Sequence, residues 1–308
     1  MGSITATLGR RGYLRASLIA CGAAAALALL TVAAISLRYG YRMCHVARVR
    51  VTTDQVAEAK RRLPTLRDLE VRTTDGLRLK SWFVKPENGV VMVLVTGLGG
   101  NRYSMLDEAV LLARHGYGAL LLEARDHGDS GGDVDTWGER EAGDVVQAVR
   151  TAYAQPGVTQ VGALGFSVGG STVALAAARD TTIRAVVLYA TWTSLREEIV
   201  YKSQGRGPTA AFWITEGFEL AGVDVDRVRP EPEMKRIAPR PLLLLSGGVD
   251  DDTPPAIMDR ILAASGQPSE LWRLPNVGHG GYVQSDPQAW ERHVIGFLDK
   301  AFFAPPAK

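Results

Sequence analysis

The sequence predicts an α/β fold: a mostly parallel central sheet flanked by helices, with an N-terminal β-hairpin and a small cap insertion. Three observations predict it. The runs Val90–Thr96, Gly118–Glu123, Gln160–Gly165, Arg184–Tyr189 and Pro241–Ser246 are rich in Val and Leu and hardly alternate with polar residues, as strands buried on both faces do. Helical stretches separate them, at Ser104–His115, Glu139–Ala154, Val168–Arg179 and Pro255–Ala264. Strand and helix in alternation imply right-handed crossovers and parallel neighbours. Ahead of them, Glu70–Thr74 and Leu77–Val84 flank Asp75-Gly76, a dipeptide suited to the positive φ of a two-residue hairpin turn.

Taken in order, residues 1–15 read as a basic tail and residues 16–37 as an apolar span. Ala16–Leu37 is 22 residues without a charge, bracketed by Arg15 and Arg38. As a helix it covers roughly 33 Å at about 1.5 Å per residue, enough for a hydrocarbon core of roughly 30 Å. The expectation is a single-pass membrane anchor. The alternative is a secretory signal, cleaved after the small residues Thr31-Val32-Ala33, which would leave a secreted or periplasmic body. Residues 38–68 read as a polar, partly helical connector, with Val56, Ala59 and Leu63 at helical spacing and Pro64 closing it. Residues 69–303 then have the length of one α/β domain, followed by a tail at 304–308.

Charge narrows the classes of partner. The 308 residues carry a formal net charge of +2, yet residues 1–50 hold seven Arg and no Lys, Asp or Glu, so the remainder stands at 28 − 33 = −5. A mildly acidic body lacks the positive face that nucleic acid requires, and the basic end suits a lipid surface. The two cysteines, Cys21 and Cys44, lie in or beside the apolar span, so the body holds no disulfide and no thiolate metal site.

In such a sheet, ligands gather at the carboxyl ends of the strands. There the strand Gln160–Gly165 runs into Gly165-Phe166-Ser167-Val168-Gly169-Gly170 and then a helix of small residues. This is a G-x-S-x-G turn between strand and helix, which presents Ser167 as a nucleophile and aims the Val168 N–H at a developing oxyanion. A serine hydroxyl needs a base and a carboxylate to orient that base. Of five histidines, His279 lies in a flexible loop, Asn276–Gly281, between the strand Glu270–Leu274 and the last helix. His45, His115 and His293 read as structural or solvated. The acid belongs after the preceding strand, where Asp250, Asp251 and Asp252 follow Gly247-Gly248. Spacing favours Asp250, with Asp251 or Asp252 free to cap the helix beginning near Pro255. In the loop Thr96–Arg102, glycines free the backbone to aim the Leu98 N–H as a second oxyanion donor. Nothing in this set calls for a cofactor or a metal.

Gly165–Gly169, Asp250 and His279, in the order Ser, Asp, His, resemble the α/β-hydrolase superfamily. Leu94–Arg102 is similar to its His-Gly oxyanion loop, and Glu123–Gly131 to its Asp-x-Arg-Gly-His-Gly-x-Ser segment. Thr96 stands where the loop usually has His, while Glu123 and Asp126 depart from the Asp and Gly of the second segment. In detail the chain looks like the bacterial serine-aminopeptidase-like and dienelactone-hydrolase-like branch, which includes membrane-anchored members. The resemblance implies an α/β-hydrolase fold over about Glu70 to Phe303, with a cap at about 192–235 whose Phe212, Trp213, Phe218 and Leu220 form an apolar face. The expected function is hydrolysis of a small-molecule carboxylic ester or thioester through an acyl-enzyme. The alternatives are an aminopeptidase-like serine peptidase and a non-catalytic, membrane-anchored binding protein that retains the fold.

Overall fold

The computed structural model describes residues 3–304. The chain runs α1 (Ser3–Met43), α2 (Thr53–Arg62), β1 (Arg67–Arg72), β2 (Arg78–Val84), β3 (Val90–Val95), α3 (Leu106–Arg114), β4 (Gly118–Leu122) and α4 (Glu141–Tyr153). It continues with β5 (Gln160–Phe166), α5 (Val168–Arg179), β6 (Ile183–Tyr189), α6 (Leu195–Lys202), α7 (Ala210–Leu220), α8 (Pro230–Glu233), β7 (Leu242–Gly247), α9 (Pro255–Ala264) and β8 (Ser269–Leu274). The short turns α10 (Tyr282–Ser285) and α11 (Pro287–Trp290) lead to α12 (Gly296–Phe303).

The eight strands form one sheet in the order β1-β2-β4-β3-β5-β6-β7-β8. The β1–β2 and β2–β4 pairs are antiparallel and every other pair is parallel. The absence of alternation in the strand sequences has a direct cause: both faces are covered. In β3, Val91, Val93 and Val95 pack with α4 and α5 on one face, while Val90, Met92 and Leu94 pack with α3 and α12 on the other. Each face holds its own apolar cluster, and burying one such side chain contributes about 1.5–3 kcal/mol.

The N-terminal end corrects an expectation. It is helical, α1 then α2, and not a β-hairpin; the antiparallel pair β1–β2 follows these helices. An unbroken run of helix-compatible residues carries α1 across residues 15 and 38 without a stop, so helix occupies the first part of the expected connector. A capping box starts α2: the Thr52 hydroxyl accepts from the Gln55 N–H at 3.2 Å, and the Gln55 side chain accepts from the Thr52 N–H at 3.0 Å. Of the terminal segments, residues 1–2 and 305–308 lie outside the described residues.

One stretch of α1, Arg15–Met43, is long and apolar enough to cross a membrane. Its two halves differ. Leu18, Ile19, Leu27, Leu29 and Leu30 are exposed, whereas Ala33, Ser36 and Gly40 are buried against α7. The helices touch backbone to backbone, since a side-chain carbon at Gly40 would collide with the Ile214 carbonyl and one at Gly217 with the Leu37 carbonyl. The guanidinium of Arg206 lies over the Tyr39 ring at 4.4 Å.

Between β6 and β7, helices α6, α7 and α8 form the inserted cap. It is tied to the loop after β7. The Tyr201 hydroxyl donates to the Asp251 carbonyl at 2.6 Å, and the Lys202 ammonium pairs with the Asp252 carboxylate. The Asp252 carboxylate is taken by Lys202, and α9 follows its N-cap Pro254 without a side-chain cap, so neither aspartate plays the capping part expected of it.

Candidate active site

At the carboxyl end of β5, the centre of the sheet, the chain turns sharply into α5. Ser167 occupies that turn at φ 55°, ψ −119°, a conformation L-residues rarely adopt and one the surrounding packing must enforce. The Ser167 N–H donates to the Tyr189 carbonyl at 2.9 Å. The turn is this tight only because Gly165 and Gly169 lack side chains. A carbon on Gly165 would strike the Gly169 carbonyl, and one on Gly169 would strike the carbonyls of Val95 and Thr96 at the end of β3.

The loop after β8 brings His279 over this turn. Its Nε2 lies 2.9 Å from Ser167 Oγ. Its Nδ1 lies 3.0 Å from Asp250 Oδ2 and 3.2 Å from Oδ1. Asp250 is 2% exposed, and its Oδ1 also accepts from the N–H groups of Asp252 at 2.9 Å and Thr253 at 2.8 Å. Two backbone donors and an imidazole thus hold the carboxylate in one orientation, which makes Nδ1 the protonated nitrogen and leaves Nε2 to accept from the serine hydroxyl. The Phe166 ring packs against the imidazole, centroids 4.9 Å apart.

The loop after β3 passes beside Ser167, where a side-chain carbon on Gly97 would lie 3.3 Å from Ser167 Cβ. The N–H groups of Leu98 and Val168 make no hydrogen bond within the described residues, whereas further along the loop Gly100 N–H donates to Gly97 O at 3.1 Å and Gly99 N–H to His127 Nε2 at 2.9 Å. Val168 opens α5, where the first N–H groups have no partner inside the helix and the helix dipole is positive.

His127 is a residue whose part the sequence reading missed. It is buried, its Nδ1–H donates to the Arg125 carbonyl at 2.9 Å, and its Nε2 receives the loop N–H. Arg125 is itself anchored by two 2.7 Å hydrogen bonds to Asp144 and one of 3.0 Å to Asp75. A second clamp lies alongside. Fully buried Glu123 accepts from Arg102 Nη1 at 2.9 and 3.0 Å and from the Asp129 N–H at 2.6 Å, pinning the end of the loop to the end of β4. The signal for both lay in the segment Glu123–Gly131, which sequence marked by resemblance alone. With Thr96 in place of His, its side chain covers Gly100, and His127 supplies the imidazole that holds the loop.

The remaining histidines lie elsewhere: His45 stacks on Tyr41, His115 ends α3, and His293 stacks on Trp272. Among the described residues no three His, Cys, Asp or Glu side chains gather as metal ligands. Two carboxyls near the site are unusual. Burial pushes Glu108, on α3, up to about 7, and burial with the nearby charges of Asp252 and Asp250 outweighs Lys202 to push Glu198, on α6, up to about 7.

Comparison with known proteins agrees with this architecture. The model of the X-Pro dipeptidyl-peptidase (S15) family matches residues 36–272, which takes in Ser167 and Asp250 and stops short of His279. The chain is 27% identical over 245 residues to the uncharacterized protein Rv2307c of Mycobacterium tuberculosis, 78% of this chain and 80% of that one. It is 31% identical over 131 residues to the polyketide transferase ATR5 of Stachybotrys chlorohalonatus, 40% and 43% of the two chains. The fold is that of the Pyrococcus furiosus esterase Pf2001, with a TM-score of 0.70 at 20% identity over 83% of this chain and 98% of that one. The matching family model is thus not that of the serine-aminopeptidase-like or dienelactone-hydrolase-like branch expected from sequence, although the α/β-hydrolase superfamily is the same.

Proposed function

Starting from the fact that the chain belongs to the X-Pro dipeptidyl-peptidase (S15) family, within the α/β-hydrolase superfamily, we propose that it is a serine hydrolase cleaving carboxylic esters or thioesters through an acyl-enzyme. One observation carries the reading: a continuous chain of contacts at 2.9 and 3.0 Å from Ser167 through His279 to the buried Asp250.

In the first half-reaction Ser167 Oγ attacks the substrate carbonyl as its proton passes to His279 Nε2. The imidazolium that results is stabilised by Asp250, which accepts from Nδ1–H and stays ionised. The carbonyl oxygen becomes an oxyanion between the N–H groups of Leu98 and Val168; one such donor supplies about 2.7–4 kcal/mol of transition-state stabilisation. His279 then returns the proton to the leaving alcohol or thiol, and the C–O or C–S bond breaks. In the second half, water loses a proton to His279 as it attacks the acyl carbon, and the bond from that carbon to Ser167 Oγ breaks as His279 returns the proton to Oγ, releasing the acid.

The family description favours a second reading, a serine peptidase, in which His279 protonates an amine leaving group. A fluorophosphonate probe on the full chain in detergent micelles tests the shared chemistry. Labelling of wild type and none of Ser167→Ala supports it; equal silence from both leaves a binding protein. Chromogenic acyl esters beside X-Pro anilides then separate esterase from peptidase.

We read α1 as a single-pass anchor that keeps this body at a membrane, supported by its exposed apolar half and by Arg15 and Arg38 at its flanks. Alkaline carbonate extraction of membranes expressing the full chain tests it. Retention in the pellet with an intact N-terminus is expected, and a mature chain beginning near Ala34 marks a cleaved signal instead.

A further inference from the structure

The loop between α6 and α7 lies against the apolar span of α1. A side-chain carbon on Gly207 would sit 3.8 Å from Val32 Cγ1, so this part of the cap is level with Val32, inside the uncharged stretch Ala16–Leu37. From there α7 runs beside α1 toward the body, where Gly40 meets the Ile214 carbonyl and Gly217 meets the Leu37 carbonyl. Around the contact both partners keep bare apolar surface. Leu30 and Ile35 of α1 are exposed, and Phe212, in the first turn of α7, is 58% exposed with its ring set edge-on to Trp213, centroids 5.0 Å apart. Residues 203–215 carry one charge, Arg206.

Length decides how these surfaces meet a bilayer. Ala16–Val32 is 17 residues, which at about 1.5 Å each cover roughly 26 Å, less than a hydrocarbon core of roughly 30 Å. A helix that spans from Ala16 therefore draws the loop beside Val32 into the membrane interface. Tilting α1 shortens its reach further. Resting on the anchor reading above, we propose that the α6–α7 loop and the first turn of α7 form a second membrane contact, with Phe212 and Trp213 seated at the acyl boundary of the bilayer. The residue types suit that depth. Tryptophan settles at the headgroup level, and exposed apolar rings bury there alongside it. Cations stand on the body side of the rings: Arg206 stacks over Tyr39, while Arg38 and Arg42 are exposed along the same part of α1, within reach of lipid phosphate.

The test uses the full chain reconstituted in vesicles of phosphatidylcholine and phosphatidylglycerol in equal parts, the phosphatidylcholine either plain or brominated on its acyl chains, and reads tryptophan emission. Bromine quenches an indole only at close range. Trp82, Trp137, Trp192 and Trp290 are buried, and Trp272 lies on the edge strand β8 stacked on His293, so Trp213 is the reporter at the contact. Brominated vesicles are expected to quench wild type, and Trp213→Phe is expected to lose that quenching. Phe212→Trp, which adds an indole at the exposed position, is expected to increase it. Wild-type emission unchanged by bromination overturns the proposal even if neither variant folds. Quenching that persists in full in Trp213→Phe also overturns it, as does added emission in Phe212→Trp that bromine leaves untouched. Flotation on a density gradient runs in parallel. A chain that floats with the vesicles and is not quenched sinks this contact alone, whereas a chain that stays behind with its N-terminus intact sinks the anchor reading and this one with it.

Discussion

Two imidazoles hold the ends of two loops, one at Ser167 and one at Gly99, and their surroundings differ. His279 has a carboxylate on Nδ1 and a hydroxyl on Nε2; His127 has a carbonyl on Nδ1 and a backbone N–H on Nε2. In the first pair Nε2 is an acceptor facing a hydroxyl that has a proton to give. In the second the Nε2 lone pair is taken by the Gly99 N–H. The same side chain thus faces a hydroxyl in one loop and braces the backbone in the other, and the difference lies in what each nitrogen touches.

The sharpest way to break the comparison is to remove each ring in turn. Ser167→Ala or His279→Ala is expected to lower kcat on an activated ester by roughly 10⁶-fold, because members of such a set act as a unit. Asp250→Asn follows at about 10⁴-fold, the neutral amide holding the wrong tautomer. His127→Gln is expected to cost only about 10- to 100-fold, the scale of a misplaced oxyanion donor, and to leave the inflections of the pH–rate profile unmoved. A loss with His127→Gln as deep as with His279→Ala would end the distinction between base and brace. Steady-state kinetics on purified variants measures all three.

The same comparison extends to stability. Arg102→Met leaves Glu123 buried and uncompensated, so urea unfolding is expected to show a loss of about 3–5 kcal/mol at neutral pH. The buried carboxyl of Glu108 supplies a smaller, pH-dependent effect. The Glu108 carboxyl is raised in the folded chain from 4.5 to about 7, so the folded state holds its proton more tightly than the unfolded state does. Stability from this group is therefore complete below pH ~4.5 and is lost as pH rises to about 7, by roughly 3 kcal/mol in all. Glu108→Gln is expected to flatten that part of the curve in a urea series from pH 4 to 8. An identical slope in wild type and variant would show the carboxyl to be better solvated than its burial indicates.

How much of this was legible in the sequence varies with range. The turn at Ser167 was readable because a strand, two glycines and a helix of small residues are local facts, and close approach of β3 to Gly169 explains why no larger residue stands there. Asp250 was readable as one of three aspartates; the two backbone donors that hold it and its contact with His279 are what separate it from its neighbours. His127 was visible only as a letter in a familiar segment, since its partners, Gly99 and Arg125, come together through the β3–β4 pairing. The length of α1 past Leu37 was hidden for a similar reason: the residues that bury its last turns belong to the cap, some 170 positions later in the chain.

By itself the sequence determined the alternation of buried strands and helices, the strained serine turn and the apolar N-terminal helix, because each is set by neighbours within a few residues along the chain. Only the tertiary structure decided which aspartate faces His279, which histidine braces the loop and which carboxyls are buried. Those depend on pairs of groups whose separation along the chain says nothing about their separation in space, and on burial, which is a property of the whole fold.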